Sequence, residues 1–381
     1  MDGLERDVAG GLFHVVEGPC LSLYMPTHRR PPDNQQNPIR FRNLLRALRE
    51  SLCARYSGRE AAPLLDPLER LADDRDFWNR TLDGLAALAS PAGFHVYRLQ
   101  QTVREMAVVA PSFRTKPLLQ VLGATDRYQV LALDSRRLDL LEGGRDALDP
   151  VDLAPGVPRC IEEALGQATT EPRLTVASHG GAEEFGAHRV HGGRKEEAEV
   201  DTSRFFRAVD QSVLDAHSIP SGLPLLLAAL PEHQSVYRRI AQNRLLLADG
   251  LETNPFALAP EALRERAWSV VAPRVEARMG ALARAYADAR ARGLGEEDLA
   301  EVAAAVAAGR VATLLLEADR DVAGRLDPAS GAFWPGELAD ASGEDALDGL
   351  GQLAVRRGAQ VVVLPADRMP SATGAAALCR Y

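Results

Sequence analysis

The stretch that most restricts how this chain can fold is Ser178 to Lys195, SHGGAEEFGAHRVHGGRK. It holds five glycines and three histidines, and Lys195 is one of two lysines in the chain, the other being Lys116. Glycine is costly to order and free to adopt positive φ, so a segment this rich in it resists packing. A long polar loop in a compact chain is a working loop or a disordered one. Periodicity resumes at once, and a helix is expected from about Asp201, with Phe205, Phe206, Val209 and Val213 turned inward between Arg204 and Ala216. A basic, glycine-rich tip leading into a helix suits close backbone approach to a phosphate or to RNA.

At 381 residues the chain exceeds one ordinary core, so two or three domains are expected. Its 46% hydrophobic and 25% charged residues are those of a globular protein. No run of about 18 apolar residues marks a transmembrane helix, and MDGLERDVAG lacks a basic region before an apolar block. A cytoplasmic protein with no membrane partner is expected. Cys20, Cys53, Cys160 and Cys379 lie scattered, without the spacing of a zinc site or a disulfide framework. The net charge of −9 argues against a generic nucleic-acid coat. It is uneven: residues 1–122 carry 16 basic against 14 acidic groups, 123–256 carry 14 against 21, and 257–381 carry 14 against 18. Only the first third is basic.

That third opens with the strand pattern Cys20–Met25, ended by Pro26 and followed by the polar loop 27–38. From Ile39 to about Tyr56 the spacing is helical, with Phe41, Leu44, Leu45, Leu48 and Leu52 on one face. Arg42, Arg46 and Arg49 recur on another face, and Arg29, Arg30 and Arg40 give the adjoining loop and helix start the same sign. This is either a solvated helix face or a phosphate contact. A second helix over 63–73 and strands near 84–89, 93–99 and 103–109 complete an α+β unit, with Phe77 and Trp78 read as core. The segment 111–122 is read as a linker.

Residues 128–133 and 138–142 predict a hairpin around Asp134-Ser-Arg-Arg137. The continuous apolar run 223–230, bounded by prolines, reads as a buried parallel strand, with a helix over 233–244 after it. A long helical region over 261–292 should be kinked at Pro273. Helices over 296–308, closed by Gly309, and over 346–357 then alternate with strands over 311–317, 322–326, 360–364 and 375–379. That order argues for an α/β/α sandwich.

Three blocks together resemble one family. LSLYMPTHRR, a proline-ended strand before a basic loop and helix, resembles the N-terminal domain of archaeal and eukaryotic peptide-chain release factors. YQVLALDSRRLDLLEG, the glycine-rich loop and RFFRAVD resemble their middle domain, which has an RNase H-like fold. GRVATLLLEADR, LAVRRGAQVVVLPADRMP and AAALCRY resemble their C-terminal domain, the kink-turn ribosomal-protein fold shared with Pelota. QQNPIRFRNLLRALRESL and FWNRTLDGLAAL are closest to the bacterial members.

The resemblance implies a three-domain α/β (α+β) protein. Its parts would be an N-terminal α+β domain at 1–122, an RNase H-like middle domain at 123–256 with the glycine-rich loop 178–195, and a pelota-like α/β/α domain at 257–381. It further implies a monomeric factor that binds rRNA in the ribosomal A site, with a translational GTPase as a possible partner. Arg29, Arg30, Arg40, Arg42 and Arg46, together with His191, Gly192, Gly193, Arg194 and Lys195, would contact RNA. Release factors carry Gly-Gly-Gln at the middle-domain tip, where the glutamine helps place water. Here Arg194 follows Gly192-Gly193, and the Ser178-His179-Gly180-Gly181 pair also lacks glutamine. The stop-codon-reading Asn-Ile-Lys-Ser has only the echo Asn37-Pro38-Ile39-Arg40. Ribosome hibernation or rescue is therefore expected in place of codon-directed release, with no cofactor, no metal and no catalytic residue assigned.

Peptidyl-tRNA hydrolysis and a metal-dependent RNase H-like nuclease remain alternatives. For the latter the acidic candidates are Asp134, Glu183, Glu184, Glu196, Glu197 and Asp201. His179, His188 and His191 have no cysteine beside them and no preformed cage, and neither a Walker A motif nor a Gly-x-Ser-x-Gly elbow occurs.

Overall fold

In the computed structural model, residues 2–13, 18–124, 126–166, 190–336 and 344–381 are described, and they form a mixed α/β protein. Two compact units are present, Met1–Thr125 with Glu276–Tyr381, and Asp126–Val275.

In the first unit, strand Cys20–Pro26 pairs antiparallel with both Gly84–Ser90 and Met106–Ala110, and Gly93–Leu99 adds to the outer edge of Gly84–Ser90. Successive side chains of a strand point to opposite faces. Leu21, Leu23, Met25, Leu85 and Ala87 therefore meet the helices Asn37–Cys53 and Gly58–Asp73, while Tyr24, Ala86 and Leu88 face a second core. Helix Gly58–Asp73 starts five residues before the expected Pro63. Ser57 and Glu60 close a capping box there, and Pro63 and Pro67 lie inside the helix.

The last third carries a sheet ordered Gly295–Glu296, Ala375–Cys379, Val311–Glu317, Gln360–Leu364, with only the final pair parallel. Helices Leu299–Ala307 and Ala346–Arg356 pack on one face. Tyr286, with Met279 and Leu282, covers the other face from the helix Pro260–Ala291, which runs through Pro273 without a break. The expected strand over 322–326 is the short Gly324–Leu326, paired with Phe333–Pro335.

The segment 111–122, expected as a linker, contains the helix Lys116–Leu122. Its N-terminal end is capped from the last third. One Asp348 oxygen accepts from the Thr115 amide (2.8 Å), the Thr115 hydroxyl (3.1 Å) and the Lys116 amide (2.6 Å). Asp345 receives Lys116 Nζ (3.3 Å) and lies 3.4 Å from Arg114. Gly351 lets the two helices approach, since a Cβ there would come within 2.6 Å of Leu119.

In the second unit, the order is Leu148–Pro150, Leu138–Gly143, Tyr128–Leu133, Leu225–Ala229, Leu246–Glu252. The hairpin pairs are antiparallel and the last two strands run parallel to Tyr128–Leu133. Phe205, Phe206, Val209 and Val213 pack on one face with Tyr237, and Leu263, Ala267 and Val271 on the other. Buried Asp210 accepts from the Tyr237 hydroxyl (3.0 Å) and the Gln242 amide (2.6 Å).

Burial, followed by the charge of Asp345, pushes the Asp348 carboxyl up to about 6, against the pull of Arg114 and of the Thr115 and Lys116 amides. Tyr24 also lies within its electrostatic reach. A folded-state pKa above the unfolded value means that the native state holds the proton longer. This group's contribution is therefore complete below the unfolded value near 4 and is lost as pH rises through about 6. Asp348→Asn should remove that dependence, so the melting-temperature difference between wild type and variant should change between pH 4.5 and 7. A flat difference would show that Asp348 does not titrate there.

Candidate nucleic-acid interface

Helix Asn37–Cys53 begins with Pro38 in its first turn, where the missing amide hydrogen costs nothing. Phe41, Leu45, Leu48 and Leu52 are buried along one stripe, so Arg42, Arg46 and Arg49 are turned to the surface. Asn37 is 1% exposed and fastens the preceding loop to this helix. Its amide oxygen accepts from the His28 amide (3.0 Å), and its nitrogen donates to the His28 carbonyl (2.9 Å) and to Thr81 Oγ1 (3.1 Å). Loop and helix thus bring Arg29, Arg30, Arg40, Arg42 and Arg46 onto one domain. The echo of the stop-codon motif divides, with Asn37 serving as an interior clamp while Ile39 lies 59% exposed.

These arginines have more acidic neighbours than Asp33 and Glu50, the two that lie close to them in sequence. Arg29 forms a fork on Asp83 (2.8 and 2.6 Å). Arg40 donates to the Pro26 carbonyl (3.2 Å) and lies 3.7 Å from Glu105. Arg42 bonds Asp73 (2.9 Å) and the Ala72 carbonyl (3.1 Å), and Arg49 pairs with Glu69. Arg30 and Arg46 are exposed. Exposed ion pairs contribute only about 0–1 kcal/mol, so a phosphate can compete for Arg42 at little cost. Arg29 is the most firmly committed, being two-thirds or more buried in a two-point pair.

The second group of expected contacts lies elsewhere. His191, Gly192, Gly193, Arg194 and Lys195 belong to the helix Val190–Val213, which begins about eleven residues before the expected Asp201. The cause is propagation. Once Phe205, Phe206, Val209 and Val213 anchor the helix, each further residue adds one hydrogen bond, and 194–200 (RKEEAEV) is rich in helix formers. The remainder of the glycine-rich stretch, 178–189, lies outside the described residues, and with it Glu183 and Glu184.

Asp134, a candidate nuclease ligand, instead closes the hairpin turn by accepting from the Arg136 (2.8 Å) and Arg137 (2.9 Å) amides. Asp201 lies 3.7 Å from Arg204. Among the described residues no group of three or more His, Cys, Asp or Glu is placed to hold a metal ion, and no helix is long and apolar enough to cross a membrane.

The sequence reading missed the acidic partners and a polar groove beside Arg42, whose lining includes Asn34, Gln35, Arg75 and Asn79. The partners of Arg29, Arg42 and Arg49 are 20 to 54 residues distant in sequence, beyond any local charge pattern. The groove has one local signal, the polar residues flanking Phe77-Trp78.

An α/β chain with an arginine-lined N-terminal helix and a five-stranded mixed sheet is the setting for the comparisons. The model of Bacterial archaeo-eukaryotic release factor family 3 matches residues 127–310. Over that segment the chain is similar to the bacterial release-factor-like family, in line with the resemblance of its motifs. An archaeal translation termination factor is 15% identical, over 100% of this chain and 98% of that one, with a TM-score of 0.24. Archaeal Pelota, from a model of ribosome-bound Pelota and ABCE1, is 12% identical over 98% and 94%, with a TM-score of 0.38. S. cerevisiae Dom34, a translation termination-like factor involved in RNA quality control and interacting with Hbs1, is 12% identical over 76% and 73%, with a TM-score of 0.37. These likenesses are distant, and the relationship rests on the family match. No curated protein matches the chain.

Replacing Asn37 by alanine removes three hydrogen bonds, one of them fully buried, and takes the partner of the His28 amide, while the His28 carbonyl keeps the Thr81 hydroxyl. A loss of about 2–4 kcal/mol is expected. Denaturant unfolding measures it, and a loss below about 0.5 kcal/mol would show that the loop is not held by this residue.

Proposed function

We propose that the protein is a ribosome-binding translation factor that occupies the A site of idle or stalled ribosomes, in hibernation or rescue. The family match over 127–310 carries this reading. The proposed domains are those read from the sequence, 1–122, 123–256 and 257–381. Numbering the strands of the 126–275 sheet in chain order gives 3-2-1-4-5 with the second strand antiparallel, which supports an RNase H-like middle domain. Helices on both faces of the last sheet support a pelota-like C-terminal domain.

In this reading Arg30, Arg40, Arg42 and Arg46 meet rRNA phosphate near the decoding centre. Arg29 braces the loop, and Gly192–Lys195 serve at the peptidyl-transferase end. A translational GTPase is the partner class proposed for the last third, by analogy with Dom34 and Hbs1. The absence of glutamine after Gly192-Gly193 favours occupancy over release, because arginine is a permanent cation with no acceptor and cannot orient water as an amide does.

Sedimentation of tagged protein from growing and starved cells tests the placement. Migration with ribosomes in at least one state is expected, and absence from them in both would overturn it. Arg40→Gln, Arg42→Gln and Arg46→Gln together should weaken binding and lower the log–log salt slope by roughly 0.7–0.9 for each phosphate no longer neutralised. An unchanged slope in a folded triple variant would reduce the stripe to solvated charge.

On ribosomes programmed with a stop codon, the purified protein should release no nascent peptide. Codon-dependent release that disappears on Gly193→Val would replace occupancy by hydrolysis.

A further inference from the structure

We propose that helix Asp2–Ala9 is a strap on the first unit, latched through Asp7 to His95 and Tyr97 and held more firmly when His95 takes up a proton.

The helix and the turn after it form one piece. Gly11, at φ +102°, closes the helix end. Its amide donates to the Val8 carbonyl (3.1 Å) and the Leu12 amide to the Asp7 carbonyl (2.9 Å), the paired bonds of a glycine-closed terminus. Leu4, Leu12 and Phe13 are buried in the core that Tyr24, Ala86 and Leu88 share with the last third. The polar fastening lies at Asp7. Its Oδ2 accepts from the Tyr97 hydroxyl (2.5 Å) and stands 3.1 Å from His95 Nδ1. His95 and Tyr97 are two apart on strand Gly93–Leu99, so they share a face, and their rings stack 6.2 Å apart at 14°.

The two bonds answer differently to pH. Burial, then the bond to Asp7, pushes the Tyr97 hydroxyl up, so it remains a donor throughout. Histidine is the side chain that changes charge between pH 5 and 8. A neutral ring with its hydrogen on Nε2 turns a lone pair toward the carboxylate, whereas a charged ring donates from both nitrogens. The bond to Asp7 is then charge-assisted. Among the described residues, Arg6 is the other charged group acting on Asp7, and buried Tyr24 lies within reach of Tyr97.

Proton uptake at His95 and closure of the strap therefore favour each other, and the strap tightens as pH falls from 8 to 6. The Tyr97 bond, followed by that of His95, holds the Asp7 carboxyl below its ordinary value against the effect of burial. Asp7 thus stays anionic through this window, and the latch is lost only in stronger acid. His95 and Asp7 are 33% and 34% exposed, so the closed-to-open ratio should change by about two- to fivefold. Lifting the strap bares the apolar seats of Leu4, Leu12 and Phe13, and loss of the His95 proton favours that opening.

Hydrogen exchange of the full-length protein at pH 8, 7 and 6, read by mass spectrometry and corrected for the intrinsic rate of each amide, tests the latch. Protection of residues 2–13 should rise about two- to fivefold from pH 8 to 6. His95→Gln keeps a donor but cannot take a charge, so protection there should stay flat with pH. Asp7→Asn should be flat as well, and less protected at pH 6. Strand Cys20–Pro26 reports whether each variant is folded. It also separates the latch from Asp348, whose titration acts on the whole first unit. The proposal falls if protection of 2–13 is absent or constant with pH, if Cys20–Pro26 shows an equal rise, or if either variant keeps the wild-type slope.

Discussion

Two buried carboxylates set the geometry of the first unit. Asp345 and Asp348 sit at the start of the helix Ala346–Arg356, and each is almost wholly buried. Burying a carboxylate is unfavourable unless its oxygens are satisfied. The donors that satisfy them come largely from the far end of the chain: the Thr115 and Lys116 amides, the Thr115 hydroxyl, Lys116 Nζ and Arg114. Asp345 also accepts from the Val322 and Leu347 amides, capping its own helix. The interaction therefore tolerates no partial version. With the donors present it fixes the helix Lys116–Leu122 against Ala346–Arg356, and without them it leaves charge in an apolar interior.

From that joint follows the placement of the N-terminal surface. The central strands Cys20–Pro26 and Gly84–Ser90 are buried on both faces, one under the two helices and one in the core shared with the last third. The arginine stripe and the polar groove share Arg42, and both are framed by backbone that the apolar stripe of helix Asn37–Cys53 holds in place. Paired arginines are a sensible arrangement for a protein of net charge −9. Neutralised at close range, they do not attract every polyanion, yet each exposed pair yields at small cost to a phosphate in the right place.

Much of the fold was legible because its signals are local. The alternation Cys20–Met25, the stripe Phe41–Leu52 and the proline-bounded run 223–230 each reported an element through periodicity alone. Gly309, at φ +70°, ends its helix as expected. What stayed hidden depends on partners distant in sequence. The helix Lys116–Leu122 is capped from Asp348, over two hundred residues away. Helix Val190–Val213 grows backward from its anchored middle through residues that a glycine count assigns to a loop. The ion pairs of the arginine stripe needed the fold before they could be seen, which is why a local reading made that face more basic than it is.

The glycine pair makes the same point about function. Gly192 and Gly193 lie in the first turn of Val190–Val213. Glycine in a helix costs about 1 kcal/mol relative to alanine, so two in succession make this the cheapest part of the helix to unwind. The free-energy difference between helical and extended backbone at 190–193 is therefore small, and a modest binding energy suffices to choose between them.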